Sequence, residues 1–575
     1  MVLFIVVASA IILLAAYFTY GKFLANTVFK LDDKNPVPSV EMEDGVDYVP
    51  AKKGMLLGQH FSAIAAAGPI NGPINGPILA AVIYGWAPAL LWVILGCIFI
   101  GGIHDMGSLV ASVRHKAKSI TEVVRLNVSQ RAWILFMIFV WITLVYVIVA
   151  FTDITASSFV GNVTLENGEV VSGAGIASSS AMYLALPIIM GLLMRFGGLK
   201  EGLAVAIFLP LVGVAIWAGQ SLPLSLPVAD PATAQKIWGV LILVYCLVAA
   251  MMPMWLLLQP RGALGGYFLY IALVVAAIGI MFGGYEINYP AFTNLNPDGS
   301  LGEHFWTPMF PILFITIACG ACSGFHALVS SGTSSKQLAK ETDATAIGYG
   351  AMLLEGMVAV VSIVCVMILA KDSELITKAP NFIYAMGIGS FMELIGIPAA
   401  FGISFGLMAF TTFVYDTLDV CTRLGRYVIE ELTGWRDMKG KVLGTVLTSA
   451  VPIFFIFQTM TDAKGNVIPA WKTFWNTFGA SNQLLAALAL IGISIWLYNT
   501  RRNSKVWMAA CIPAVLMFLM SNWALLLSIY EGWVLGLGHP AVPVVSVILV
   551  ILSVLVAVET IYSVSKSKAK IQKEQ

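Results

Sequence analysis

Charged residues are scarce in this chain of 575 residues, because Asp, Glu, Lys and Arg together make up only 11% of it. Hydrophobic residues account for 59%, and the mean hydropathy is +0.88. Soluble domains contain about 25% charged residues, so the composition excludes a soluble enzyme or binding domain. A net charge of +1 gives no indication of a nucleic-acid partner. The composition predicts an all-α polytopic membrane protein surrounded by membrane lipids.

Cysteine pairs and catalytic motifs are also lacking. The seven cysteines occur singly, apart from Cys319 and Cys322, and their spacing indicates neither a disulfide framework nor a zinc ribbon. His104 and Asp105 could ligate a metal together with His115 or Cys421, but no spacing matches a known zinc pattern. No nucleophile, base and acid follow one another in a recognisable order. We therefore predict no metal, no cofactor and no enzymatic activity.

Long apolar runs are abundant, and about fifteen of them could cross a bilayer as helices. The first, residues 1–22, lacks a basic region before it and is predicted to be an anchor helix and not a cleaved signal. Of the 32 basic residues, 27 fall in alternate loops. By the positive-inside rule these loops are cytoplasmic, which predicts a membrane protein with its N-terminus outside and its C-terminus inside.

The second apolar run contains the repeat GPINGPINGPI, from Gly68 to Ile78. Three Gly-Pro steps at four-residue spacing cannot continue an α-helix, since each Pro removes an amide donor and clashes with the preceding turn. Open backbone at membrane depth is a common substrate site in secondary transporters. We therefore predict substrate binding by Gly68, Asn71, Gly72 and Asn75. A kink without a ligand is the alternative.

The seventh run, residues 238–259, contains Pro253 past its midpoint and crosses the membrane in the opposite direction to the second run. The sequence predicts that Met252, Pro253 and Trp255 form the other half of the substrate site. A kink without function is again the alternative.

Two breaks five spans apart predict a five-plus-five inverted repeat. The first repeat would comprise spans 2 to 6, residues 55–220, and the second spans 7 to 11, residues 236–414. One N-terminal span and four C-terminal spans, residues 442–565, would be additions. Residues 415–441 carry apolar and basic positions at helical spacing, which predicts a cytoplasmic amphipathic segment.

Few ionisable residues lie inside the predicted spans, and each is costly enough there to indicate a function or a partner. His60 and His326 fall at similar depth in the inner third of the bilayer, where imidazoles could carry a coupling proton. Glu355 could act as a proton relay. The hydroxyls of Ser323 and Ser330 could instead bind Na⁺. Hydrogen bonds between neighbouring helices are the alternative for all of these side chains.

Other charged residues are predicted at cytoplasmic helix ends. The set comprises Asp105, Asp343, Asp419, Arg423 and Arg426. Interfacial salt bridges would explain this clustering. The sharper hypothesis is a cytoplasmic gate whose ion pairs break when the site opens.

Four long motifs carry a resemblance to a known family: GQHFSAIAAAGPINGPI (58–74), the run FITIACGACSGFHALVSSGTSSKQLAKETDATAIGYGAML (314–353), TLDVCTRLGRYVIEELTG (417–434) and FGASNQLLAALAL (478–490). The sequence resembles the carbon starvation protein A (CstA) family of bacterial inner-membrane transporters. This resemblance implies peptide uptake when carbon is scarce, with pyruvate moved together with protons by some members. It also implies a LeuT-like arrangement of the ten central helices, with His60 and His326 facing one another.

The sequence therefore predicts a secondary active importer of peptides or pyruvate, coupled to protons and working by alternating access. A Na⁺-coupled symporter of another small carboxylate or amino acid is one alternative, and a transporter-like sensor is another. A channel is disfavoured because the spans carry too few polar residues to line an ion pore. The sequence leaves the oligomeric state open.

Overall fold

A computed structural model describes residues 1–45, 48–67, 74–164, 168, 170–253, 255–293, 309–435, 437–458, 460, 469–501, 504–537 and 539–574. Within these ranges twelve helices are long and apolar enough to cross a membrane. The strands of the same ranges form one antiparallel hairpin, β1 (Asn162–Thr164) and β2 (Val170–Ser172). The chain is a multi-pass, nearly all-helical membrane protein.

The helices of the first part of the chain are α1 (Val2–Phe29), α2 (Pro38–Glu41), α3 (Lys53–Ala67), α4 (Gly76–Tyr84), α5 (Trp86–Arg114), α6 (Ile120–Asn127), α7 (Gln130–Val160), α8 (Gly173–Phe196), α9 (Glu201–Ser221), α10 (Pro231–Met251) and α11 (Leu258–Phe282).

The helices of the second part are α12 (Ile312–Thr316), α13 (Phe325–Gly332), α14 (Glu341–Met367), α15 (Pro380–Glu393), α16 (Ala399–Thr433), α17 (Met438–Ile456), α18 (Ala470–Thr500), α19 (Met508–Trp533) and α20 (Ala541–Glu574), with short 3-10 turns at Ser334–Lys336, Glu374–Thr377 and Lys505–Trp507.

Local sequence signals account for several helix ends. The Ser129 hydroxyl accepts a hydrogen bond from the backbone N–H of Ala132 at the start of α7. Asp230 caps α10 in the same way, and Pro231 occupies the first helical position. Gly434 ends α16 with a φ of 76°, a left-handed conformation that glycine adopts without strain.

The second predicted span consists of two helices, α3 and α4. Residues 68–73, which include the predicted site residues Gly68, Asn71 and Gly72, lie outside the described residues. Asn75 is fully buried directly before α4. The substrate roles of these four residues stay predictions.

The predicted break around Pro253 differs from expectation. Helix α10 ends at Met251 and α11 begins at Leu258, and each is long enough to cross a membrane by itself. Met252, Pro253 and Trp255 thus join two spans and do not interrupt one. The Trp255 ring contacts Phe196 at 5.9 Å between centroids, and Phe196 is 76% exposed, so this junction lies at the periphery.

An interruption that the sequence analysis did not predict separates α12 from α13. Residues 317–324 leave the helical path, and Gly320 has a φ of 83°, which favours glycine. Helix α4 packs against this interruption, since a Cβ added at Gly76 would lie 2.6 Å from the carbonyl oxygen of Thr316. Helix α4, which follows the predicted break, is therefore in contact with this interruption.

The structure of segment 415–441 also differs from the separate amphipathic segment that the sequence predicts. Its first part continues α16 as far as Thr433, and Val420 and Val428 are buried there. Arg423 and Arg426 are only 7% and 5% exposed, so this part of the helix packs inside the protein.

Candidate functional site

Four ionisable side chains form a continuous buried chain, which we call the His326 network: His104, Asp105, His326 and Glu355. Asp105 accepts from His104 Nδ1 through one oxygen and from His326 Nδ1 through the other, both at 2.7 Å. His326 Nε2 lies 3.3 Å from a Glu355 oxygen. All four side chains are 0% exposed. Such buried ionisable groups in a membrane protein usually mark an ion or substrate pathway.

Three helices carry the His326 network. Helix α5 supplies His104 and Asp105, α13 supplies His326, and α14 supplies Glu355. Small residues bring these helices close together. A Cβ at Gly348 in α14 would lie 2.6 Å from Met106 Cα in α5. This tight contact holds the carboxylates within reach of the imidazole.

Neighbouring side chains form hydrogen bonds with the backbone of the interruption between α12 and α13. Glu355 accepts a hydrogen bond from the Gly320 N–H at 3.0 Å, and Trp92 Nε1 donates to the Ile317 carbonyl at 3.1 Å. Asn482 of α18 accepts from the Phe325 N–H at 3.1 Å and bonds the Ser323 hydroxyl. Glu355 thus links the His326 network directly to the non-helical backbone.

Cys319, His326 and Glu355 place donor atoms within 4.8 Å of one another, and they are the one such group found in the described ranges. The suggested set of His104 and Asp105 with His115 or Cys421 forms no such group there. Asp105 already binds His326, and Gly320 already binds Glu355. These hydrogen bonds occupy His326 Nδ1 and one Glu355 oxygen, whereas His326 Nε2 and the other Glu355 oxygen accept or donate no hydrogen bond in the described ranges.

The other predicted ion-coupling residues lie near the His326 network. His60 in α3 is fully buried, and its Nδ1 lies 2.7 Å from the Ser334 hydroxyl in the turn after α13. Ser330 is buried one turn after His326 in α13. The structure therefore brings His60 to the end of α13, outside the chain of bonds around His326.

The predicted gate residues separate into four groups. Asp105 is deep in the His326 network and not at a helix end, because α5 is 29 residues long and extends nine residues beyond it. Asp343 pairs with Lys53 at 3.4 Å, with the Lys53 side chain 54% exposed. The same side of the molecule carries the ion pair between Arg114 and Glu341, at 2.7 Å.

Asp419 belongs to a second buried cluster, the Arg261 cluster, which comprises Arg261, Asp419 and Tyr245. Asp419 forms an ion pair with Arg261, and Tyr245 donates a hydrogen bond to Asp419 at 2.9 Å. Arg261, which the sequence analysis counts as a loop residue, is 1% exposed in the first turn of α11. This cluster joins α10, α11 and α16.

Arg423 and Arg426 cap the C-terminal end of α10. Arg423 donates to the carbonyls of Ala249 and Met252, at 2.9 and 2.6 Å. Arg426 donates to the carbonyl of Ala250 at 2.9 Å. Cations at a helix C-terminus satisfy carbonyls that lack an intrahelical partner, so these contacts stabilise the junction after Met251.

A cavity of about 440 Å³ lies beyond the other end of α13. Ser331, Gly332 and Lys336 line one side of it, and Lys118 and Arg125 line another. The predicted orientation places this cavity on the cytoplasmic side. Helix α13 therefore has the His326 network at one end and a polar cavity at the other.

Sequence reasoning missed two residues of the site, Gly320 and Asn482, and considered His104 only as a metal ligand. A signal for the place of His104 in the network existed, since His104 and Asp105 are adjacent ionisable residues inside an apolar span. Gly320 and Gly324, four residues apart, were the signal for the interruption.

Comparison with known proteins identifies the family. The family described as Carbon starvation protein CstA matches residues 1–383 and 372–524. The chain is 32% identical to the Peptide transporter CstA of Helicobacter pylori (strain ATCC 700392 / 26695), over 92% of this chain and 82% of that protein. It is 29% identical to the Pyruvate/proton symporter BtsT of Escherichia coli (strain K12), with the same two coverages.

Among solved structures, the manganese transporter of Eremococcus coleocola has a similar fold. Its TM-score is 0.50 at 12% sequence identity, and the match covers 91% of this chain and 98% of that chain. This likeness concerns the fold alone. The matches confirm the predicted resemblance and transport as the class of function. The chain therefore belongs to the carbon starvation protein CstA family.

Proposed function

We propose that this chain is a secondary active transporter that imports peptides or pyruvate across the cytoplasmic membrane together with protons. Relatives named as a peptide transporter and as a pyruvate/proton symporter support these two substrate classes. The observation that carries the proposal is His326, fully buried between Asp105 and Glu355 at the interruption before α13.

The groups around His326 suit proton coupling because they can change charge. An unbalanced charge at this depth is costly, so a proton held by the network and the charge of a bound substrate should influence one another. Imidazole gains or loses a proton near neutral pH, unlike Arg or Lys. A carboxylate substrate that arrives with a proton brings no net charge into the membrane. We infer that the network binds this proton when the site faces outside and releases it inside.

The substrate site would lie where the predicted break before α4 meets the interruption between α12 and α13. The approach of Gly76 to Thr316 supports pairing the Gly68–Ile78 stretch with residues 317–324, in place of the junction at Met252, Pro253 and Trp255. Amide groups at the ends of broken helices carry positive partial charge, which suits a carboxylate. Asn71 and Asn75 would add amide side chains, as the sequence predicts.

We also propose a revised repeat. Its first half would be α3 with α4, α5, α7, α10 and α11, and its second half α12 with α13, α14, α16, α17 and α18. Two equivalent contacts support it: Gly266 of α11 packs on Gly58 of α3, and Asn482 of α18 packs on Gly324 beside α13.

In this arrangement α8 and α9 are an inserted hairpin. Successive spans of each half alternate in direction, and each span runs opposite to the equivalent span of the other half. The arrangement keeps fifteen spans, the LeuT-like five-plus-five core and the predicted orientation of both termini.

Uptake by purified protein in liposomes tests the function. Labelled pyruvate and a labelled dipeptide should each be offered with a pH gradient or a Na⁺ gradient imposed separately. We expect an inward proton gradient to drive uptake of one of them. Uptake driven by Na⁺ alone would assign coupling to Na⁺, with Ser323 and Ser330 as candidate ligands. Binding without uptake under either gradient would favour the sensor.

A further inference from the structure

A second, larger cavity lies at the ends of α1, α5 and α18. Its volume is about 1030 Å³. Four basic residues line it, namely Lys30, Arg114, Lys116 and Arg501, whereas Glu41 is the acidic residue among its lining in the described part of the chain. This excess of positive charge suits an anion.

Two of these basic residues are fixed by the fold. Arg114 pairs with Glu341 and donates to the Lys30 carbonyl at 3.2 Å. Arg501 donates to the carbonyls of Thr27 and Val28, both at 2.7 Å. These contacts position the ends of α1 and α18 around the cavity.

The two lysines are available for a ligand. Lys30 and Lys116 are exposed, and neither forms an ion pair within the described ranges. Both have positive φ, 49° and 60°, a conformation that is uncommon for residues other than glycine. Lys30 adopts this conformation as the residue that ends α1, and Lys116 adopts it in the turn that follows α5.

The floor of the cavity is apolar. Phe29 and Trp496 line it and stack with ring centroids 6.3 Å apart. The cavity also lies at the membrane surface, because α1, α5 and α18 are candidate membrane spans that end there. Only 28% of the most apolar 18-residue window of α1 is buried inside the protein, so that part of the helix faces lipid. A ligand with a charged group and an apolar portion can reach the cavity from the bilayer.

We propose that this cavity binds the phosphate headgroup of an anionic phospholipid, such as phosphatidylglycerol, with Lys30 and Lys116 on the phosphate. Phe29 and Trp496 stay buried in the cavity lining, at 1% and 4% exposure, while the acyl chains remain in the bilayer. The predicted orientation places the cavity on the cytoplasmic side, where basic pockets between spans recognise anionic lipids. Because Arg114 also pairs with Glu341 at the start of α14, a bound lipid lies directly beside the helix that carries Glu355.

Lipid retention measures this binding without any transport assay. Purified protein is reconstituted in vesicles of equal phosphatidylglycerol and phosphatidylcholine, re-extracted, and analysed by native mass spectrometry for retained lipid. We expect a preference for phosphatidylglycerol of about tenfold or more, since each basic residue near the surface contributes about 1 kcal/mol. The variant Lys30→Gln/Lys116→Gln should lose most of that preference.

Matched variants separate the site from general charge effects. Lys52→Gln/Lys439→Gln removes the same charge from exposed lysines outside the cavity lining and should keep the preference. Lys30→Arg/Lys116→Arg should also keep it. Equal retention of both lipids by the wild type, or an unchanged preference in Lys30→Gln/Lys116→Gln, would overturn the proposal. Displacement of phosphatidylglycerol by excess inorganic phosphate would overturn it as well, by assigning the cavity to a free anion.

Discussion

The protein contains two buried charged clusters that contrast in chemistry. The Arg261 cluster joins a guanidinium, which stays protonated in proteins, to a carboxylate and a phenol. The His326 network consists of imidazoles and carboxylates, which can gain or lose a proton. The Arg261 cluster lies beside the junction between two intact spans. The His326 network adjoins an interrupted helix.

This contrast indicates two separate tasks for buried charge in one membrane protein. A permanent ion pair fixes helices against one another, since neither partner can become neutral cheaply. A titratable network beside open backbone can respond to a proton and a substrate. The sequence analysis placed Asp105 and Asp419 in one group, and the structure assigns them to different clusters.

The largest effect is expected when the Arg261 cluster is broken. Asp419→Ala leaves the Arg261 guanidinium buried without its carboxylate, which should cost about 3–5 kcal/mol in the free energy of unfolding. Thermal unfolding in detergent would measure this loss. The double variant Arg261→Met/Asp419→Leu removes both charges and should recover most of the stability. Wild-type stability of the single variant would contradict a fixed structural role for this pair.

Removing the titratable group from the His326 network should affect coupling more than stability. His326→Gln keeps a polar side chain of similar length but cannot bind a proton near neutral pH, so uptake driven by a proton gradient should fall at least tenfold. Proteoliposome uptake at several pH gradients would measure this. His539→Gln, which changes a histidine outside the network, is the matched control. Unchanged gradient dependence in His326→Gln would exclude the coupling role.

Two substitutions at Glu355 distinguish its hydrogen bond to the backbone from its binding of a proton. Glu355→Ala removes the acceptor of the buried Gly320 N–H, which should cost about 1–3 kcal/mol. Glu355→Gln retains an acceptor oxygen and should unfold close to the wild type while changing the pH dependence of uptake. Equal stability losses in the two variants would show that the charge of Glu355, and not its hydrogen bond, supports the interruption.

The smallest effect is expected at the exposed ion pair of the predicted gate. Asp343→Asn removes the contact with Lys53, whose side chain is largely exposed, and should change the unfolding free energy by less than about 1 kcal/mol. Uptake should then stay close to that of the wild type, because a loss of this size leaves the protein folded. A larger loss of uptake in Asp343→Asn than in Lys53→Gln would assign Asp343 a role beyond this pair.

Composition was sufficient to predict the membrane class, and four long motifs were sufficient to predict the family, whereas depth within spans was harder to judge. Asp105 seemed close to a helix end because Arg114 follows nine residues later, but α5 continues past the usual length of a span. The interruption at Gly320 was missed because an isolated glycine costs a helix only about 1 kcal/mol. The second break was assigned to Pro253 because proline is the stronger local signal.

Helix α13 spans only Phe325–Gly332, about two turns, yet its two ends border the His326 network and the 440 Å³ cavity. A rod this short cannot bend appreciably, so a tilt that begins at His326 moves Gly332 in the same event. Proton uptake and opening toward the cytoplasm would then result from one rigid-body tilt of α13, and no relay through distant helices would be needed.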